Sequence, residues 1–277
     1  LRCLVGSEMC IRDRVKNVVK KAHEIAKSGA KEIVLTGVNT GDFGKSNGSD
    51  KHIESFFDLV KALDKIEGIE RFRISSIEPN LLHDEIIHFV AESQRFMPHF
   101  HIPLQSGCDD ILKKMRRRYL SQLYVERVET IKKAMPHCCI GVDVITGFPG
   151  EGENEFEQTH CFLAELEVSY LHVFPYSERA NTLAIEMGGS VIPEERKERS
   201  KILRTLSARK KRHFYENHIG QNSTVLWEEK EVEGFMTGFT QNYIKVKAPY
   251  REDWVNEIKA IKMDSIDDDG EMVGIII

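Results

Sequence analysis

The sequence predicts an α/β protein built as a partial parallel barrel and followed by a small all-β barrel. Three observations lead there. Short apolar runs alternate with segments of helical spacing through five cycles, the pattern of a parallel sheet with helices outside, as a barrel or a doubly wound sheet. The runs end in TGVN, SSIEP, PLQSG, TGFPGE and FPYSER, all rich in Gly, Pro and polar groups. Five such ends aimed at one mouth favour the barrel, where the carboxyl ends of the strands build the active site. After about Pro193 the texture changes to one basic helix and then five short alternating strands.

Taken in order, Val15, Val18, Val19, Ala22, Ile25 and Ala26 have helical spacing, with Gly29 as a stop. EIVLTG then reads as a buried parallel strand, and a Gly/Asn/Ser/Asp-rich loop runs from Val38 to about Lys51. Ile53, Phe56, Phe57, Val60 and Leu63 mark a helix, RFRISS a strand, and Leu82 to Val90 a helix. HFHIPLQSG is a strand and loop, followed by a helix from Ser121 to Ala134, the strand GVDVITGFPG, a helix from Glu153 to Glu167 and the strand YLHVFPYS. The helix after Pro193 carries nine Lys or Arg against four Glu up to Ile219. STVLWEE, GFMTGFT, NYIKVKA, VNEIKAIKM and EMVGIII then suggest a small barrel of OB type, with the boundary near residue 220.

Composition limits the function classes. Across 277 residues, 41% are hydrophobic and 30% charged, which suits a packed core and argues against global disorder. The net charge of −5 gives no overall case for a nucleic-acid partner, so a local basic patch has to carry one. No apolar run approaches the ~18 residues of a membrane span, and the amino terminus is a poor signal peptide. Six scattered cysteines point to a reduced, cytoplasmic protein.

Three motifs stand out. Gly147 to Glu151 form G-x-x-G-E, where glycine allows close backbone approach to a flat ligand but more often serves a tight turn. LKKMRRRY places Lys113, Lys114, Arg116, Arg117 and Arg118 together, which suits either a solvated helix end or an anionic substrate at the mouth. His99 and His101 share one face of a strand. That spacing suits zinc, with His83, His88, His137, His160 and His172 as further ligands, but no carboxylate-rich motif accompanies it. Core or cofactor-packing histidine is the preferred reading.

Together, EIVLTGVNTGDFG, RISSIEP, HIPLQSG, LKKMRRRY, DVITGFPGE, LHVFPYSERANT and GFTQNYIKV resemble, in order, motifs of the radical S-adenosylmethionine methylthiotransferases. The branch they resemble most acts on threonylcarbamoyladenosine in tRNA. The resemblance runs from about Val15 to the end, and the last module resembles the family's TRAM domain. It implies that Thr36, Gly37 and Asn39 hold the amino end of S-adenosylmethionine. Ser76, Glu78, Gln105, Ser106 and Arg117 would line its ribose and carboxylate side, and Asp143, Gly147, Glu151 and Phe174 its adenine. It also implies a cytoplasmic monomer that binds the anticodon stem-loop of tRNA. Lys113, Lys114, Arg116, Arg118, Arg209, Lys210, Lys211 and Arg212 are the candidate RNA contacts, expected to form a continuous strip. Phe239 and Tyr243 are candidates for base stacking, or else barrel core. One departure is Asn181, where the family usually has Gly before Thr182.

A second departure concerns the cluster. The family places C-x-x-x-C-x-x-C before the helix that begins here near Val15, and three thiolates hold a [4Fe–4S] cluster. This chain has Cys3 and Cys10, separated by six residues, and no third there. Residues 1–14 are therefore expected to be foreign sequence, the first barrel strand to be missing, and the chain to be inactive without a cluster. Sequencing the genomic locus tests this. The domains expected are 15–219, a partial radical-SAM-type barrel, and 220–277. Competing readings are a methylthiotransferase acting on a ribosomal protein, a zinc-dependent barrel hydrolase, and a non-catalytic RNA-binding protein.

Overall fold

The computed structural model describes residues 2–5, 14–37, 39–44 and 54–277. Its first part alternates strand and helix: β1 (Arg2–Val5), α1 (Val15–Lys27), β2 (Glu32–Thr36), α2 (Phe56–Leu63), β3 (Arg71–Ile74), α3 (Asp84–Glu92), β4 (His99–Gln105), α4 (Asp109–Lys114), α5 (Ser121–Ala134), β5 (Cys139–Thr146), α6 (Glu153–Glu165), β6 (Tyr170–Pro175) and α7 (Pro193–Glu216). Strands β1-β2-β3 and β4-β5-β6 form two parallel sheets, joined by single parallel bridges from Phe72 to Phe96 and from Ser76 to His101. The strands follow one another in chain order, so the order never reverses as it does in a doubly wound sheet. The result is an open arc with helices outside. Among the described residues, β6 and β1 do not pair.

One expectation is corrected. The first strand is not missing, because Arg2–Val5 pairs in parallel with Ile33–Thr36 of β2. An unpaired strand edge presents a row of free N–H and C=O groups, and a short apolar segment such as RCLV satisfies them. Cys10 and the side chain of Cys3 lie outside the described residues, as does most of the expected loop from Val38 to Lys51.

The period-two pattern of each strand sorts its side chains between two environments. Ile33, Leu35, Phe72, Ile74, Phe100, Ile102, Leu104, Ile140, Val142, Val144, Leu171 and Val173 pack beneath the helices against Ala22, Leu63, Ile87, Tyr124, Ile131 and Leu163. The alternate positions face the hollow of the arc and are mostly polar: Glu32, Arg73, His99, His101, Asp143, Tyr170 and His172. An apolar outer face and a polar inner face make the hollow a binding space rather than a second core.

Local chemistry sets the element ends. Ser55 and Asp58 form a reciprocal cap on α2, so this helix starts at Phe56 rather than Ile53. Pro193 at the first turn of α7, with Glu194 and Glu195 beside it, suits a helix amino terminus. Asn181 takes φ 65°, the left-handed region that Asn tolerates, so it can make a turn that would otherwise favour Gly.

Residues after α7 form β7 (Asn222–Val232), β8 (Phe235–Thr240), β9 (Lys245–Pro249), β10 (Ile258–Ile266) and β11 (Met272–Ile276). They close in the order β10-β11-β9-β8-β7 around Val225, Trp227, Met236, Val246, Ile261 and Met272. This small barrel docks on the amino ends of β2 to β5. Arg71 donates to the Phe239 carbonyl at 3.0 Å and to the Thr224 carbonyl and hydroxyl, each at 2.9 Å. Arg73 donates to Gln241 O (2.8 Å), Thr240 O (2.7 Å) and Glu32 Oε1 (3.0 Å). Asn242 reaches the His137 carbonyl at 3.1 Å.

Candidate cofactor and substrate site

At the carboxyl ends of the strands lies a pocket of about 470 Å³, lined by Asn39, Asp42, Ser76, Glu78, Pro103, Gln105, Met115, Arg116, Arg117, Arg118 and Asp143. The loop after β2 is fixed from below, since Thr40 donates its N–H and its hydroxyl to Ser76 O at 3.0 and 2.9 Å. Asn39 bridges two elements: its Oδ1 accepts from the Glu78 N–H at 3.2 Å and its Nδ2 donates to Asp42 at 3.1 Å. Arg117 donates to Glu78 Oε1 at 3.2 Å, and its Nε has no partner although it is buried. Asp143 pairs with His101 Nε2 at 2.9 Å. Gln105 and Arg116 both hold positive φ, 71° and 55°. Such backbone persists only where surrounding contacts over-determine it, and it concentrates at binding sites.

Of the twelve candidate cofactor residues, Asn39, Ser76, Glu78, Gln105, Arg117 and Asp143 line this pocket, and Thr36 and Gly37 lead into it from β2. The other four lie elsewhere. Ser106 is fully buried and hydrogen-bonds Thr159 of α6 at 3.1 Å. Glu151, 2% exposed, accepts from the Gly147 N–H at 2.6 Å and from Arg199 at 2.8 Å. Gly147 stands at φ 74°, where an added Cβ would meet Arg196 Cγ at 2.3 Å, so both residues brace the loop after β5. Phe174 is 52% exposed on the edge strand β6. Sequence reasoning missed Asp42 and Met115. It also missed the hollow below the mouth, whose signal was the alternation of polar residues in HFHIPLQ and RFRIS.

Those histidines are engaged by the protein. His99 Nε2 lies 3.1 Å from the Tyr170 hydroxyl, and its ring stacks on Tyr243 at 4.1 Å. Gly141 makes room for Tyr170, whose ring an added Cβ would meet at 2.4 Å. His101 is held by Asp143, and among the described residues no group of three or more His, Cys, Asp or Glu is placed to hold a metal ion. Burial, then the nearby Arg73, His101 and His172, hold the pKa of His99 well below the ordinary 6.5. The unfolded chain therefore takes up a proton near pH 6.5 that folded His99 refuses. Its contribution to stability is complete above that pH and declines below it, by up to about 1.36 kcal/mol per pH unit. Urea unfolding at pH 7 and pH 5.5 checks this. His99→Gln should reduce the acid loss, and an equal loss in both proteins would exclude His99 as its source.

The candidate RNA contacts fall into two groups. Lys113, Lys114, Arg116 and Arg118 are exposed at the mouth, with Lys114 donating to Gly150 O at 3.1 Å. Arg209 to Arg212 lie near the other end of α7. Lys210 donates to Ala164 O and Leu166 O at 3.0 and 2.7 Å, Lys211 sits over Tyr215, and Arg212 pairs with Glu216. A helix of 24 residues spans about 36 Å, so the second group lies near the far end of α7, with exposed Lys197, Lys201 and Arg204 along the helix between. Of the two readings of Tyr243 and Phe239, base stacking or core, Tyr243 packs against the core of the small barrel. Tyr243 is sandwiched between His99 and Phe239, whose ring lies 4.7 Å away, and Arg73 lies over it. The docking face of a barrel and an RNA-binding face share one aromatic pattern, and here docking uses it.

The pocket fits S-adenosylmethionine in its donor set, since a zwitterionic amino acid and a ribose require carboxylate, amide and guanidinium partners together. The described cysteines do not fit an iron–sulfur cluster. Cys108, Cys138 and Cys139 are buried and Cys161 is exposed, with no two of them bonded to each other. Burial pushes the Cys139 thiol up to about 12 and the neighbouring Cys138 higher, against formation of a thiolate.

Fold and site thus define an enzyme scaffold of parallel α/β type with a cofactor-sized pocket at its mouth. The sequence profile of the Radical SAM superfamily matches residues 9–163, more than half of the 277, and the chain belongs to this superfamily. The superfamily implies S-adenosylmethionine and a [4Fe–4S] cluster as cofactors. Over 253 residues the chain is 39% identical to the threonylcarbamoyladenosine tRNA methylthiotransferase MtaB of Bacillus subtilis, covering 90% of this chain and 55% of that protein. It is 36% identical to the MtaB of Aquifex aeolicus, covering 84% and 54%. It is 34% identical to the tRNA-2-methylthio-N(6)-dimethylallyladenosine synthase of Streptomyces viridosporus, covering 79% and 40%. The chain spans about half the length of the curated relatives it matches. Coproporphyrinogen III oxidase (HemN) of Escherichia coli, a radical SAM enzyme, shares the fold with TM-score 0.55 at 12% identity, covering 71% of this chain and 45% of that one.

Proposed function

We propose that this chain is the barrel and C-terminal part of a tRNA methylthiotransferase, which adds a methylthio group to threonylcarbamoyladenosine beside the anticodon by radical S-adenosylmethionine chemistry. The pocket at the mouth carries the reading. It gathers six of the expected cofactor residues, among them Arg117, and two further arginines in one space, in a chain 39% identical to a protein of that name. The C-terminal barrel is read as OB-like, of TRAM type, supported by its five strands and the single parallel pair β9–β11. It has six Lys or Arg against twelve Asp or Glu, a net −6, so RNA phosphates are placed on the α/β part. Scattered free cysteines support a cytoplasmic setting, and no described helix is long and apolar enough to cross a membrane. A monomer is proposed. The zinc-hydrolase reading loses its basis, because His99 and His101 are committed to Tyr170 and Asp143.

Titration calorimetry of S-adenosylmethionine into this chain tests the proposal. One site is expected, weakened roughly tenfold or more by Glu78→Ala, which releases Arg117 from the pocket wall. No heat at millimolar cofactor, or equal affinity in the variant, would remove the pocket as the cofactor site.

A further inference from the structure

We propose that Arg116 and Arg118 are the receptor for the carboxylate of the modified adenosine, and so set the choice of a threonylcarbamoyl over an apolar substituent. The inference rests on the function proposed above and assigns a residue pair to its substrate selectivity.

The arginines stand on a segment that the fold holds firmly. Helix α4 ends at Lys114, and Arg116 N and Arg117 N donate back to Lys113 O and Leu112 O. On the far side, buried Tyr119 donates its hydroxyl to Pro103 O at 2.9 Å. Between these anchors Arg116 is held at φ 55°, a backbone conformation that a residue with a side chain keeps only where its surroundings impose it. Three successive guanidinium side chains then line the pocket.

Their commitments differ. Arg117 is bound to Glu78. Of the other pocket carboxylates, Asp143 pairs with His101, and Asp42 accepts from the neutral Asn39 amide. Lys113 pairs with Asp110, and Lys114 caps Gly150. Arg116 and Arg118 are exposed, and no carboxylate lies within ion-pair reach of either among the described residues. Two fork-shaped cations therefore remain at the mouth without a carboxylate of the described chain in ion-pair reach.

The substrates named for the relatives differ in the chemistry these arginines read. A threonylcarbamoyl group on N6 ends in an amino-acid carboxylate and a hydroxyl. A dimethylallyl group has neither charge nor hydrogen-bonding atoms. Guanidinium matches carboxylate with two parallel hydrogen bonds. An apolar group in the same place would leave both guanidiniums desolvated without partners, so selectivity arises from attraction to one substrate and penalty against the other.

The test compares anticodon stem-loop RNAs carrying threonylcarbamoyladenosine, dimethylallyladenosine or unmodified adenosine, binding to the full chain and to R116Q/R118Q and R116K/R118K. The wild-type chain should prefer the threonylcarbamoyl RNA over the unmodified one by roughly 10- to 100-fold. R116Q/R118Q should lose this ratio, and R116K/R118K, which keeps the charge but not the fork, should retain only part of it. A ratio unchanged in R116Q/R118Q overturns the assignment while leaving the proposed function standing. Equal weakening of all three RNAs, with a flatter salt dependence, also overturns it and makes the arginines phosphate contacts. A wild-type chain that binds the three RNAs equally would remove the proposed substrate itself.

Discussion

Arg73→Met should lower the unfolding free energy by about 3–5 kcal/mol, the loss expected when one partner of a buried ion pair is removed. Arg73 and Glu32 are each 2% exposed and 3.0 Å apart. The same guanidinium supplies hydrogen bonds to Thr240 O and Gln241 O in the turn after β8. Methionine fills similar space but leaves a buried carboxylate, one oxygen of which already has no partner, and two carbonyls facing an apolar side chain. The cost falls on docking as well as on folding, because Arg73 links β2, β3 and the small barrel. Urea denaturation gives the magnitude, and hydrogen exchange at Ile244 reports undocking. Glu32→Leu combined with Arg73→Met should recover part of the loss, since the uncompensated charge is then gone. A loss below about 1 kcal/mol in the single variant would show that water reaches this pair.

Much of this arrangement was legible in the sequence, and the exceptions share a cause. The strands β2 to β6 and the helices between them follow from apolar periodicity, because helix and strand bury one face each. The boundary expected near residue 220 follows from the change of period, where α7 ends at Glu216 and β7 begins at Asn222. The six pocket residues were reached through the motifs of the family resemblance. Asn39, Ser76, Glu78 and Gln105 sit at or just after strand ends, Asp143 within β5 and Arg117 just after α4. Ser106, Gly147 and Glu151 belong to the same motifs but bear on Thr159, Arg196 and Arg199. Partners 48 to 53 residues away leave no local signal. Arg71 and Arg73 were missed for the same reason. Arginine on a buried strand looks exceptional until the carbonyls 153 to 168 residues further along are seen to receive it. Both readings of Tyr243, base stacking or barrel core, stood open in the sequence, because a sequence cannot distinguish a face that docks on its own chain from one that docks on a partner.

Arg199→Met should be nearly as costly as loss of Arg73 near pH 8, about 3–5 kcal/mol, and less costly near pH 5. Arg199 is 5% exposed and holds both Glu151 Oε1 and Glu151 O at 2.8 Å. Burial already raises the pKa of Glu151, opposed by the Gly147 N–H and by Arg199. Without Arg199 that opposition weakens, so the carboxyl holds its proton to higher pH in the folded state than in the unfolded one. A carboxyl raised in this way loses stability as pH rises from the unfolded value of about 4.3 through the folded one, and the loss then levels off. The variant should therefore approach the wild type in acid and fall behind in base, opposite to the trend expected from His99. Glu151→Gln in the same background should flatten the difference. The damage reaches the mouth through the loop after β5, because Gly150 O receives Lys114 at the end of α4, two residues before Arg116. Binding of S-adenosylmethionine should weaken along with stability at pH 8 and recover toward pH 5. A penalty that does not change between pH 5 and pH 8 would mean that Glu151 stays ionised in the variant, stabilised by water that replaces Arg199.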